Sequence, residues 1–82
     1  MSEEEIREAV MDAIHRVAPD VDIAALDPGE DLREQADLDS VDILRVVVRL
    51  HETLGVDVPE TDYEEMTALN RAVAYLAERL SG

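Results

Sequence analysis

Three stretches of this chain set aliphatic side chains three and four residues apart, and that spacing restricts it to a small helical fold. Ile6, Val10, Ala13, Ile14 and Val17 make the first set. Ile43, Val47, Leu50 and Leu54, with Val46 beside them, make the second. Leu69, Val73, Leu76 and Leu80 make the third. At about 100° per residue each set shares one helix face, so each helix must bury its stripe against the others. No cysteine occurs among the 82 residues, so neither a disulfide framework nor a thiolate metal site can assist. A net stability of roughly 3–5 kcal/mol is expected from such a core. Phe and Trp are absent, and glycine and proline number three each, too few for a β-rich chain full of turns.

Local signals bound the helices. Ser2 followed by Glu5 is a capping box for a helix over residues 3–17, which Pro19 stops. His15 falls on the face opposite the stripe. Residues 19–39 form a long connection with Pro19, Pro28 and Gly29, and with one short turn around Ile23–Leu26. Connections longer than about 12–15 residues in small domains are functional or disordered. Here Ile23, Leu26 and Leu32 would pin the segment to the core. The second helix runs over 40–54, with Asp39 as its N-cap and Gly55 as its stop. Val56-Asp57-Val58-Pro59 is short, extended and without a strand partner. Thr61 or Asp62 would cap a short helix reaching Met66, and Thr67 would cap the last one. The expectation is an all-α fold. It is a small four-helix bundle, three main helices plus one short helix, with a long loop between helices one and two, in one domain over residues 1–82.

Charge narrows the function. The formal net charge is −14, which excludes nucleic-acid binding, since phosphates require neutralising cations. It favours partners with a basic patch. Residues 19–42 contribute −8 and residues 57–65 contribute −5, whereas residues 43–56 sum to +1. No run approaches the roughly 20 apolar residues of a membrane span. The N-terminus is acidic where a signal peptide would be basic. A soluble, cytoplasmic monomer is expected.

Independent chemistry finds little support. A calcium loop beginning at Asp37 would need glycine at its sixth position and glutamate at its twelfth, but Asp42 and Val48 stand there. His51-Glu52 begins a zinc-protease motif that Gly55 breaks. No metal site and no catalytic residue is assigned. Ser40 could serve a hydrolytic triad only with a histidine nearby. His51 is about three helical turns, roughly 16 Å, further along the same helix. Ser40 is then either a cap or a point of attachment. Asp39 is the better cap, which places Ser40 at the first helical position with its hydroxyl free. A helix N-terminus offers unpaired N–H groups and partial positive charge, which suit a phosphate ester. The opposite face of this helix carries Val41, Arg45, Val48 and Glu52, so two valines point where solvent should be.

Asp39-Ser40-Val41-Asp42 resembles the Asp-Ser-Leu attachment motif of acyl carrier proteins. The resemblance extends over the first helix, the acidic loop, the serine opening helix two, Val56-Asp57-Val58-Pro59, Thr67 and Tyr75. It implies that a phosphopantetheinyl transferase moves 4′-phosphopantetheine from coenzyme A to Ser40, with Asp39 taking part in recognition. The arm's thiol would hold acyl groups as thioesters for partner enzymes, among them acyl-transferring or acyl-activating enzymes and ketosynthases of fatty-acid, polyketide or related specialised biosynthesis. The chain itself would be a non-catalytic carrier. Helix two would be the partner surface, through Val41, Asp42, Arg45, Val48, Arg49 and Glu52. Candidate positions for an acyl cavity are Val47, Leu50, Val58, Tyr63, Met66, Leu69 and Ala72. The chain departs from the family in three places. Asp37 replaces a usual glycine, Arg45 and Arg49 interrupt a typically acidic helix, and Tyr63 replaces a small residue. Two alternatives stay open: a peptidyl or aminoacyl carrier, and an acidic helical adaptor for a basic protein.

Overall fold

The computed structural model describes residues 1–81. Helix α1 spans Glu3–Val17, and the capping box is present, with the Ser2 hydroxyl accepting from the Glu5 amide and the Glu5 carboxylate accepting from the Ser2 amide. This environment lowers the pKa of Glu5 below the ordinary carboxylate value. A 3₁₀ turn follows at Ile23–Ala25, then the four-residue helix α2 at Leu32–Gln35. Helix α3 spans Ser40–Leu54, a second 3₁₀ segment spans Glu60–Met66, and α4 spans Leu69–Ser81. Helix α1 packs against both α3 and α4, and the second 3₁₀ segment packs against α3 and α4. The core is aliphatic apart from Met66, with Ile6, Ile14, Leu32, Leu50, Leu76, Val10, Val46 and Val73 almost wholly buried. The expected all-α bundle is what forms, and no strand occurs among the described residues.

The long connection is ordered by more than the three aliphatic residues anticipated. Leu32 is buried, whereas Ile23 and Leu26 are half-buried against the core. Leu38, not anticipated as core, is also buried. Two backbone bonds tie the connection to the start of α4: the Leu32 amide donates to the Thr67 carbonyl at 2.7 Å, and the Asn70 amide donates to the Pro28 carbonyl at 2.9 Å. Gln35 closes the loop on itself, accepting from the Asp27 amide and donating to the carbonyls of Asp27 and Glu30. Helix α2 exists because of these contacts, since four residues cannot hold a helix alone. Its Asp31 N-cap accepts from the Arg33 amide.

Three expectations are corrected. Neither Thr61 nor Asp62 caps the segment before Met66, because the 3₁₀ turn begins at Glu60 after Pro59 with no side-chain cap. Asp62 instead accepts from the Tyr75 hydroxyl at 2.6 Å and from Arg79 at 3.1 Å, fastening the segment to α4. The Arg79 guanidinium also lies over the Tyr75 ring, 5.1 Å from its centroid. Burial, and after it the Asp62 carboxylate, raises the pKa of the Tyr75 hydroxyl. Thr67 does not cap the last helix. Its buried hydroxyl donates backwards to the Glu64 carbonyl at 2.7 Å, and a loop carbonyl takes the Asn70 amide that a cap would have served. Leu80, placed in the third stripe, is exposed because α4 runs past the end of the core.

The acidic segments carry more carboxylates than Arg33, Arg71 and Arg79 pair with. Their mutual repulsion opposes compaction and is screened by ions. Thermal melts should therefore shift upward with added NaCl or Mg²⁺. A flat or falling melting temperature would contradict the repulsion argument.

Candidate functional site at the head of helix α3

Two buried residues fix the position of the segment between them. Leu38 and Ile43 are both core, while Asp39 and Ser40 are exposed. The chain therefore rises out of the core for a single turn at the head of α3. Asp37, just before it, has φ 56°, in the left-handed region. Asp is among the few residues other than glycine that enter this region readily. The position where carrier proteins usually have glycine thus keeps a glycine-like backbone.

Asp39 is the N-cap of α3. Its carboxylate accepts from the Asp42 amide at 2.9 Å, and the Asp42 carboxylate accepts from the Asp39 amide at 3.3 Å. The Asp39 carbonyl takes the Ile43 amide. Ser40 therefore occupies the first helical position, and its hydroxyl makes no hydrogen bond to any described residue. The amides of Ser40 and Val41 are unpaired at this helix end, as the geometry of an α-helix requires. An exposed, uncommitted hydroxyl beside free N–H donors fits a phosphodiester. The Asp39 and Asp42 carboxylates oppose a second negative charge, so the fit rests on the amides and on open access.

A cleft of about 260 Å³ adjoins Ser40, lined by Arg33, Ser40, Ile43, Glu60, Thr61, Tyr63, Glu64 and Thr67. Arg33 reaches across its rim. It pairs with Asp31 at 2.7 Å and with Glu64 at 3.5 Å, joining α2 to the second 3₁₀ segment. The Arg33 hydrogen bonds hold the Asp31 carboxyl below the ordinary carboxylate pKa. A carboxyl lowered on folding stabilises the fold above its unfolded pKa, and the contribution is lost as pH falls through the folded value. The Asp31–Arg33 pair accordingly weakens in acid.

The residues expected at the site separate into three groups. Of the seven proposed cavity positions, Tyr63 alone lines this cleft, half-buried. Val47, Leu50, Val58, Met66, Leu69 and Ala72 are buried core residues. On the outer face of α3, Val41 and Val48 are exposed at 52% and 49%. Arg45 and Glu52 are exposed beside them, and Asp42 and Arg49 are half-buried. Leu44 completes this face at 42% exposure and was not anticipated, although its position three residues after Val41 was a usable signal. Arg33, Glu60 and Glu64 had no signal, because only tertiary packing brings them to Ser40. A larger depression of about 460 Å³, between the first 3₁₀ turn and the end of α2, holds none of the expected site residues.

Comparison with known proteins agrees with this geometry. A family model described as the phosphopantetheine attachment site matches residues 4–76. An acyl carrier protein of Lactobacillus johnsonii is 35% identical over 93% of this chain and 94% of its own length. One from Rubrobacter xylanophilus is 29% identical over 88% of this chain and 93% of its own. Polyketide-8 synthase acyl carrier protein 2 of Streptomyces avermitilis is 30% identical over 98% of this chain and 86% of its own.

The cap and the hydroxyl are separable by mutation. Asp39→Ala should lower stability by about 1 kcal/mol, and Asp39→Asn by much less, because asparagine caps as well as aspartate. Urea unfolding of the two variants measures the difference. Equal losses would contradict the capping role.

Proposed function

The chain belongs to the acyl carrier protein family, whose members carry covalent 4′-phosphopantetheine, and we propose that Ser40 is the residue that carries it. The observation behind this reading is the division of labour at the head of α3. Asp39 does the capping, so the Ser40 hydroxyl is left exposed and unbonded. In the active site of a phosphopantetheinyl transferase, Ser40 Oγ forms the new P–O bond to the pantetheine phosphate of coenzyme A. The adenosine bisphosphate leaves as the old P–O–P bond breaks, and the hydroxyl proton passes to the transferase. Asp39 holds Ser40 at the first turn and offers its outer carboxylate edge to the transferase. The arm supplies a thiol that holds acyl groups as thioesters, a sulfur this cysteine-free chain lacks.

The domain over residues 1–82 acts as a carrier and not as a catalyst. No histidine lines the cleft at Ser40: His15 and His51 are exposed elsewhere on the surface, and His51 Nδ1 lies 3.3 Å from the Val56 carbonyl. Its partners are the transferase and acyl-transferring enzymes that engage the outer face of α3. The relatives include both acyl carrier proteins and a polyketide synthase carrier, and the pathway served is fatty-acid, polyketide or related specialised biosynthesis.

The cleft beside Ser40 suits short cargo. Its lining includes Arg33, Glu60 and Glu64, and Tyr63 lies half-buried between it and the aliphatic core. Incubation with coenzyme A and a broad-specificity transferase should add the mass of one arm, and Ser40→Ala should abolish the gain without changing the melting temperature. An unmodified wild-type chain beside a modified control carrier would overturn the assignment. A sequestered chain would stabilise the fold by up to about 0.8 kcal/mol for each buried methylene. Short- and long-acyl forms should instead melt alike. Stability that climbs with chain length would contradict the view that Tyr63 closes the core.

A further inference from the structure

The outer face of α3 carries groups that the fold itself does not use. Val41, Leu44 and Val48 form an exposed apolar stripe at helical spacing. Arg45 and Arg49 run along its edge. The chain has seven arginines among 21 acidic residues. Five of the seven are engaged: Arg7 with Asn70, Arg16 with Asp12, Arg33 with Asp31 and Glu64, Arg71 with Glu65, and Arg79 with Asp62. The side chains of Arg45 and Arg49 form no ion pair or hydrogen bond with any described residue. The nearest carboxylates on the same helix do not help. Asp42 is committed to the capping box, and Glu52 does not reach Arg49.

Holding these two cations this way costs the fold something. Like charges four residues apart destabilise a helix. Arg49 Nε is shut off from solvent without a hydrogen-bond partner, and a buried unpaired donor is unfavourable. In so acidic a molecule, unpaired cations beside an apolar stripe are useful when carboxylates arrive from outside.

We infer that the outer face of α3 docks a protein partner whose apolar patch is rimmed by acidic side chains. The inference rests on the carrier reading, because Ser40 opens this same helix and so places the docking face next to the cargo. Partner carboxylates within hydrogen-bonding reach of Arg45 and Arg49 form short charge-assisted pairs. Of the acids on this face, Asp42 is held in the capping box and Glu52 is the exposed one, set against two arginines; the acids beyond this face act over longer distances, where a Debye length of about 8 Å at physiological salt screens them. A partner rimmed by lysine and arginine would set like charges against this face, which costs affinity and slows encounter.

The test is a charge swap with the intact holo-protein. The probe is a malonyl-transferring acyltransferase of fatty-acid synthesis with a basic docking rim. A second form has those rim residues changed to glutamate, with hydrolysis of its acyl-enzyme verified as unchanged. Transfer to the arm is followed as kcat/KM. Wild-type should prefer the glutamate-rimmed enzyme by about tenfold or more. Arg45→Gln/Arg49→Gln should show little preference, and Arg45→Glu/Arg49→Glu should prefer the basic enzyme. Matching circular dichroism melts establish that the variants fold. If the arm is present and the preference does not follow the charge, the inference is wrong and the carrier reading stands. If no arm attaches, mass spectrometry shows it before any transfer is measured, and both fall. Concentration-dependent dimerisation lost in the glutamate variant would assign the face to a second copy and also overturn the inference.

Discussion

The reciprocal hydrogen bonding of Asp39 and Asp42 governs the site. Each carboxylate takes the other's amide, so α3 begins at one residue and the side chain at the first helical position is relieved of any structural duty. Leu38 below and Ile43 behind anchor that turn in the core. The helix start is therefore rigid while its outermost hydroxyl is accessible. A carrier needs both properties, because the arm must leave from a fixed point and an enzyme must reach that point.

The rest of the fold holds this turn in place. Residues 19–39 would be a floppy acidic strap without the Leu32 and Asn70 backbone bonds that tie it to α4. Arg33 spans from Asp31 to Glu64 and couples the strap to the second 3₁₀ segment. Asp62, Tyr75 and Arg79 then fasten that segment to α4. Arginine thus acts as the bridging residue of a strongly acidic chain. Arg45 and Arg49 stand outside this scheme, which sets the outer face of α3 apart from the remaining surface.

What was legible in the sequence follows from where the determinants lie. The ends of α1 and α3 were readable because their caps are local: Ser2 with Glu5, Asp39 before Ser40, and Gly55 in the left-handed region at φ 70°. The aliphatic stripes were readable because helical periodicity is local too. Helix α2 was not, since it depends on the Thr67 carbonyl and on the burial of Leu32. Thr67 and Asp62 were misread for the same reason. Both have the composition of helix caps, but packing offered each a better partner, the Glu64 carbonyl for one and Tyr75 with Arg79 for the other. At the site, Asp39 and Ser40 could be placed by the cap rule, whereas the charged lining of the cleft required the fold.

The central claim is that the hydroxyl released by the Asp39 cap is the one that becomes esterified. Cleavage after Arg33 and Arg45 would release residues 34–45, in which Ser40 is the sole hydroxyl-bearing residue. Tandem mass spectrometry of this peptide, from protein purified from its natural source, tests the claim directly. The account predicts the phosphopantetheine mass on this peptide, localised to residue 40. Recovery of the peptide unmodified, with the arm on another segment or on none, would contradict it.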